Sequence, residues 1–145
     1  GKRDRLRSRG LGDVYKRQHE IADFKKNLNN DIEIYADVFV KHAVPPEGSK
    51  IENHAEELIN RAGADVVIVT GDGTGHQINM DDLTKVREIV PVGKLAIGSG
   101  VDHTNINQYE NIADILIIGT SLKKDGNVEN PVDIDTAKEV IDQLK

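Results

Sequence analysis

The chain has 145 residues, a mass of 16.0 kDa and a formal net charge of −6, which suits one domain with a real core and is too short for two comfortable ones. It contains no cysteine and no tryptophan, which excludes a disulfide scaffold and any cysteine-ligated zinc or iron–sulfur centre. No apolar run is long enough to span a membrane and no signal peptide is visible, so a soluble, cytoplasmic chain is expected.

Residues 1–18 hold seven basic side chains (Lys2, Arg3, Arg5, Arg7, Arg9, Lys16, Arg17) and two acidic ones. The remaining residues carry 12 basic and 23 acidic side chains, a balance of −11. A basic tail on an acidic body is one signature of a nucleic-acid or membrane-surface arm. Here Tyr15 is the tail's one aromatic, and no apolar face recurs at helical spacing. No nucleic-acid partner is expected, and the segment reads as a disordered or non-native leader. Residues 11–18, LGDVYKRQ, resemble translated sequencing-adapter text joined to a truncated gene, so residues 1–18 are set aside.

A weak helical pattern covers residues 19–28, and an apolar, β-branched strand follows over residues 32–42. Ile51, Ala55, Leu58, Ile59 and Ala62 then share one helix face. Ser49 with Glu52 forms a capping box at its start, and Gly63 stops it. Residues 64–70, ADVVIVT, form the second strand. The next helix starts near Asn79, carries Leu83, Val86, Ile89 and Val90, and ends at Pro91 and Gly93. Residues 94–98 form the third strand, Ile106, Tyr109 and Ala113 a short helix, and residues 113–119 the fourth strand. Ala137, Val140, Ile141 and Leu144 make the last helix. Asp102 and Asp133 are placed as helix caps.

The last three strands are short continuous apolar runs, as in parallel sheets buried on both faces. The class is α/β, with about four parallel strands alternating with helices. Half of a (β/α)₈ barrel and a doubly wound open sheet both fit four such units, and both place the chemistry at the C-terminal ends of the strands.

Unusual residues gather at those ends, while the loops leading into the strands are plain. Gly98-Ser99-Gly100 follows the third strand and Gly119-Thr120-Ser121 the fourth. Glycines there allow close backbone approach and positive φ, and converging N–H groups suit a dianionic phosphate. In barrels the loops after the last two strands often hold phosphate. These six residues are the expected phosphate site, with Lys123 or Lys124 adding charge; the plain alternative is a tight strand-to-helix turn. Thr70, Gly71, Gly73 and Thr74 form a flexible substrate loop after the second strand. A dinucleotide fingerprint is rejected there, because His76 stands where the third spaced glycine belongs.

Strand alternation puts Asp37, Phe39 and Lys41 on one face, with His42 on the other. Asp37 and Lys41 then both point into a barrel, about 13 Å apart. Asp37, Lys41, His42 and Asp72 are the candidate catalytic acids, bases or anion binders; the plain readings are ion-pair and rim hydrogen-bonding roles. His54 lies mid-helix and reads as solvated. No histidine pair has ligand spacing, so neither a metal site nor a cofactor is expected.

ADVFVKHAVP (36–45), ADVVIVTGDGTG (64–75), GSGVD (98–102) and IIGTSLKKDGNVENPVD (117–133) together resemble the BtpA/SgcQ family. The resemblance covers about residues 19–145. It implies the C-terminal half, strands 5 to 8, of a (β/α)₈ barrel of ribulose-phosphate-binding type. The family takes its name from a cyanobacterial protein of photosystem I biogenesis, so an assembly role is implied beside small-molecule chemistry. Where the family pattern follows GSGV with Thr-Pro, Asp102-His103 stand here, and Pro46-Glu47 follow KHAVP.

A half barrel leaves two open strand edges and an uncovered inner face. Each uncovered Val, Leu or Ile forgoes roughly 1.5–3 kcal/mol of burial. Marginal stability or self-association through those edges is therefore expected. Three functional readings follow: a barrel binding or acting on a phosphorylated small molecule, a non-catalytic assembly factor with peripheral membrane association, and an inert truncated piece.

Overall fold

The four apolar runs align as a parallel sheet, and the helices between them lie against one of its faces. The computed structural model describes residues 20–28, 32–39, 48–71 and 78–144. Residues 20–27 are helical (α1). Then come β1 (Tyr35–Asp37), α2 (Ile51–Asn60), β2 (Val66–Thr70), α3 (Met80–Ile89), β3 (Leu95–Gly98), a 3₁₀ turn (Ile106–Gln108), β4 (Ile115–Ile117), two further 3₁₀ turns (Thr120–Leu122 and Lys124–Gly126), and α4 (Ile134–Gln143). Among the described residues no helix is long and apolar enough to cross a membrane.

All four strands are parallel and their spatial order is β1-β2-β3-β4. Register places Val67 beside Leu95 and Val69 beside Ile97, and these four pack with Ile51, Ala55 and Leu58 of α2 and Leu83 and Val86 of α3. Val140 of α4 joins the same cluster, as do Leu116 and Ile118 from the last strand and its exit. The alternate positions face the other way: Tyr35 and Asp37, Val66 and Ile68, Ala96 and Gly98, Ile115 and Ile117. Doubly wound sheets cover both faces with helices. Sequential order with helices on one face is the arrangement of a partial barrel.

Several local expectations shift. The first strand was read over residues 32–42; of these Tyr35–Asp37 form the paired strand and the Val38 N–H still reaches Ile68 O, while residues 40–42 lie outside the described residues. The Ser49–Glu52 capping box does not form. Lys50 occupies the cap position of α2 without a side-chain bond. The short third helix is a single 3₁₀ turn that ends before Tyr109. His54 is not merely solvated: its ring meets Phe39 edge-on at 5.1 Å. Asn79 does cap α3, accepting from the N–H groups of Asp81 and Asp82, and Asp133 caps α4 in the same way.

Two carboxylates pin the N-terminal ends of the strands. Asp65, just before β2, accepts the Ile34 N–H at 2.7 Å and pairs with Lys25 of α1. Asp114, just before β4, accepts the Leu95 N–H at 2.9 Å and pairs with Arg87 of α3 at 2.7 Å. Each therefore ties its own strand to the neighbouring strand and to a helix. The Lys25 hydrogen bond holds the Asp65 carboxyl below its ordinary value. For Asp114 burial pushes upward, but the bonds from Arg87 and Leu95 outweigh it and the net shift is down.

A carboxyl depressed on folding contributes stability that is whole above its unfolded value, about 3.9, and is lost as pH falls through the lower folded value. Stability should therefore drop as the pH falls below about 4. The Arg87–Asp114 pair is 21% and 20% exposed, so screening leaves part of its strength. Asp114→Ala should cost about 1–3 kcal/mol at neutral pH, by leaving the Leu95 N–H without its acceptor and Arg87 without its carboxylate partner. It should also flatten the acid limb of a urea midpoint measured against pH; an unchanged midpoint at pH 7 refutes the role.

Candidate functional site

The two glycine-bearing turns expected to act together do lie together. Residues after β3 and β4 line one cavity of about 530 Å³: Gly98, Ser99, Gly100, Val101, Asp102, Ile117, Gly119, Thr120, Ser121 and Gly126. All six of the expected phosphate-site residues are in that wall. Gly126, Val101 and Ile117 join them without having been singled out.

The glycines play different parts from those expected. Gly98 ends β3, and a Cβ there would come 3.0 Å from Ile68 Cγ2 and 3.2 Å from Thr70 Cγ2. Its place is fixed by packing against β2 rather than by positive φ. The left-handed backbone falls on the next two residues, Ser99 at φ 76° and Gly100 at φ 71°. A serine in that region is strained, and such strain persists only where neighbouring bonds hold it. Gly119 has φ −132°, and a Cβ on it would meet no atom within 4 Å. Its missing side chain leaves the cavity open.

Hydrogen bonds weld the two turns. The Ser121 hydroxyl donates to the Val101 carbonyl at 2.6 Å, so it serves first as a strut between the turns. In the turn after β4, Leu122 donates to Gly119 O and Lys123 to Thr120 O. The N–H groups of Thr120 and Ser121 begin that turn and stand outside its own bonds. Beyond it, Lys123 pairs antiparallel with Val132 and the Lys124 N–H reaches Pro131 O, which folds residues 123–132 back beside Gly126. Lys123 and Lys124 are not part of the cavity wall, so the charge expected from them is not delivered there.

Asp102 is the charged residue in the wall. It precedes the 3₁₀ turn instead of capping a helix: its carboxylate accepts from the Thr104 hydroxyl at 2.6 Å and the Thr104 N–H at 2.7 Å. The hydroxyl bond is the main reason its carboxyl sits below the ordinary value, against the upward push of burial. Asn105, which the sequence gave no reason to select, is buried and bonds Gly100 O and Asp102 N–H. Tyr109 is also buried, and burial raises its phenol above the ordinary value.

The remaining candidates stand apart from the cavity. Asp37 is half-buried on the face away from the helices, in register with Ile68. It lies two strands from β3, about 10 Å by strand spacing. Thr70 ends β2, and its hydroxyl donates to Phe39 O at 3.4 Å, a long bond between the first two strand exits. Gly71 is buried directly after it. Lys41, His42, Asp72, Gly73 and Thr74 lie outside the described residues.

The family model of the BtpA family matches residues 8–145. The chain belongs to the BtpA family. That match begins inside the stretch set aside in the sequence reading. An uncharacterized protein of Thermococcus kodakarensis is 37% identical over 127 residues, 88% of this chain and 48% of that protein. An uncharacterized protein of Methanocaldococcus jannaschii is 36% identical over 130 residues, 90% and 49% of the two chains. The photosystem I biogenesis protein BtpA of Synechocystis is 35% identical over 115 residues, 79% of this chain and 40% of that one. This BtpA-family chain thus spans about half the length, or less, of the curated relatives it matches.

Two substitutions separate the roles of the glycines in this BtpA-family site. Gly98→Ala should destabilise by about 1–3 kcal/mol, because two β-branched side chains must give way. Gly119→Ala should be close to neutral in a thermal or urea melt. Equal costs at both positions would refute this division.

Proposed function

We propose that this chain binds a phosphorylated small molecule, with the phosphate held by the backbone of the turns after β3 and β4. The observation that carries the reading is the shared cavity of about 530 Å³ between Gly98–Asp102 and Gly119–Ser121. Its volume is within the usual range for small-molecule sites and well above that of a bare phosphate. Among the described residues no lysine or arginine lines it. Recognition would rest on oriented peptide dipoles. The cysteine-free chain suits a cytoplasmic setting.

Asp37, Lys41, His42 and Asp72 would face the reacting end, on the β1 and β2 side of the rim. Thr70, Gly71, Gly73 and Thr74 would form the loop over the substrate. Asp37 is on the inner face, about 10 Å from β3, a span that a small phosphorylated molecule can bridge. Whether these groups catalyse or only orient the ligand depends on the rest of the barrel that the relatives' length would supply.

A second reading is favoured by one finding, the 35% identity to a protein named for photosystem I biogenesis. In that case the chain is part of an assembly factor, and peripheral membrane association follows without catalysis. A third reading, an inert piece, predicts neither phosphate binding nor membrane association.

Thermal-shift titration separates the first reading from the others. A ligand at a hundred times its Kd stabilises by about 2.7 kcal/mol. Inorganic phosphate, sugar phosphates and nucleoside monophosphates at millimolar concentration should raise Tm by several degrees. Gly119→Val should abolish that rise while leaving the unliganded Tm within about 2 °C, since its side chain would occupy the cavity. A flat response to all three ligands refutes the reading.

We also infer self-association through the open sheet. Tyr35 and Ile117 on the inner face are 43% and 44% exposed. Phe24 of α1 and Ile134 and Ile141 of α4, at the two ends of the helical layer, are more exposed still. Burying such groups stabilises association by about 25 cal/mol per Å² before ordering costs. Light scattering over a hundredfold concentration range should show a mass that rises with concentration; a monomer throughout refutes it.

A further inference from the structure

Asn105 is the buried polar residue of the core, 2% exposed, and both ends of its amide are used. Nδ2 donates to the Gly100 carbonyl at 2.6 Å, and Oδ1 accepts the Asp102 N–H at 2.9 Å. A buried amide with donor and acceptor both satisfied by backbone fixes the peptides it touches. Here it fixes two peptide planes in the middle of the cavity wall.

The consequence follows from peptide geometry. In a trans peptide the C=O and the next N–H point in opposite directions. Holding the Gly100 carbonyl toward Asn105 therefore turns the Val101 N–H away from Asn105. Gly100, Val101 and Asp102 line the cavity, and Asn105 does not. The far side from Asn105 is thus the cavity side. The next carbonyl, that of Val101, accepts the Ser121 hydroxyl at 2.6 Å. Two successive carbonyl oxygens, each of which would repel an anion, are so occupied by donors of the chain itself. The Asp102 N–H is spent on Asn105. The Val101 N–H is left, and among the described residues no backbone acceptor takes it.

We infer that Asn105 is a positioning residue that aims the Val101 N–H into the cavity as a donor to a bound phosphate oxygen. This rests on the anion reading of the cavity. It adds a specific donor and the side chain that orients it, neither of which the glycine pattern points to. It also accounts for the left-handed Ser99-Gly100 pair, since that turn brings the Gly100 carbonyl round to Asn105.

The test is a titration of the ¹⁵N-labelled chain with inorganic phosphate, read amide by amide. The Val101 resonance should move with saturation and further than that of Val92, an exposed amide at the opposite end of β3. Asn105→Asp keeps an acceptor for the Asp102 N–H but sets an oxygen against the Gly100 carbonyl. It should weaken phosphate binding about tenfold. If Thr120 and Ser121 respond while Val101 stays still, the inference is overturned and the anion reading survives. If phosphate moves no amide of the wall, both fail. An Asn105→Asp chain that melts lower yet binds phosphate as tightly as the original also overturns it, since a purely structural role predicts that pattern. Should that variant not fold, the Val101 response of the unmodified chain alone decides.

Discussion

One-sided burial is the constraint from which the rest of this molecule follows. A strand sends alternate side chains to opposite faces, and here the helices cover one face. Val67, Val69, Leu95, Ile97 and Leu116 meet α2, α3 and their neighbours, while Ile68, Thr70, Gly98 and Ile117 look the other way. Each crossover helix returns the chain on the same side, so consecutive strands become neighbours. Every strand then ends on the same rim, and the exits of β3 and β4 come to lie side by side. The cavity is therefore a product of topology before it is a product of any side chain. The opposite rim is given over to Asp65 and Asp114, which stitch strand starts to helices. Stability is fixed at one end of the sheet, and the other end is free to hold open, strained turns.

The polar accounting at that open end has a direction. The carbonyls of Gly100 and Val101 each end on a side-chain donor, from Asn105 and Ser121. The Asp102 carboxylate faces two donors from Thr104. Groups that would repel an anion are the ones the chain satisfies internally. Donors at the start of the turn after β4 are the ones it leaves over. Residues 19–145 carry a balance of −11, so long-range attraction does not bring an anion to this site. On the proposed reading short-range geometry has to do so, and converging peptide dipoles act at that range.

The strands and helices were legible because apolar runs of four or five residues and stripes at helical spacing survive in any parallel α/β layer. Their limits were less so. The apolar pattern marks where a strand can lie but not how far it pairs, which is why β1 is the three residues Tyr35–Asp37 inside the expected 32–42. The Ser49–Glu52 pattern failed because a capping box needs its serine at the cap position, and the turn puts Lys50 there. The residues that line the cavity could be singled out because glycine-bearing turns directly after strands are rare enough to notice. Asn105 was passed over because it only precedes Ile106, the first apolar residue of the expected short helix, among other polar residues. Nothing in the string marks the asparagine that turns inward. Its signal is burial, and burial of a single loop residue exists only once the fold does.

The parts of this site differ in how much of a barrel they need. Both turns of the cavity come from adjacent strands, and their struts, Asn105 and Ser121, come from the segments that directly follow those strands. The cavity wall is thus a local construction of two βα units, closed by bonds over at most 20 residues of sequence. Asp37 depends on the register of β1 against β2 and on whatever covers the inner face. In a closed barrel that face is packed by the opposite strands, which would bury Asp37. The cavity wall is therefore complete within four strands, whereas the surroundings of Asp37 depend on what covers the inner face.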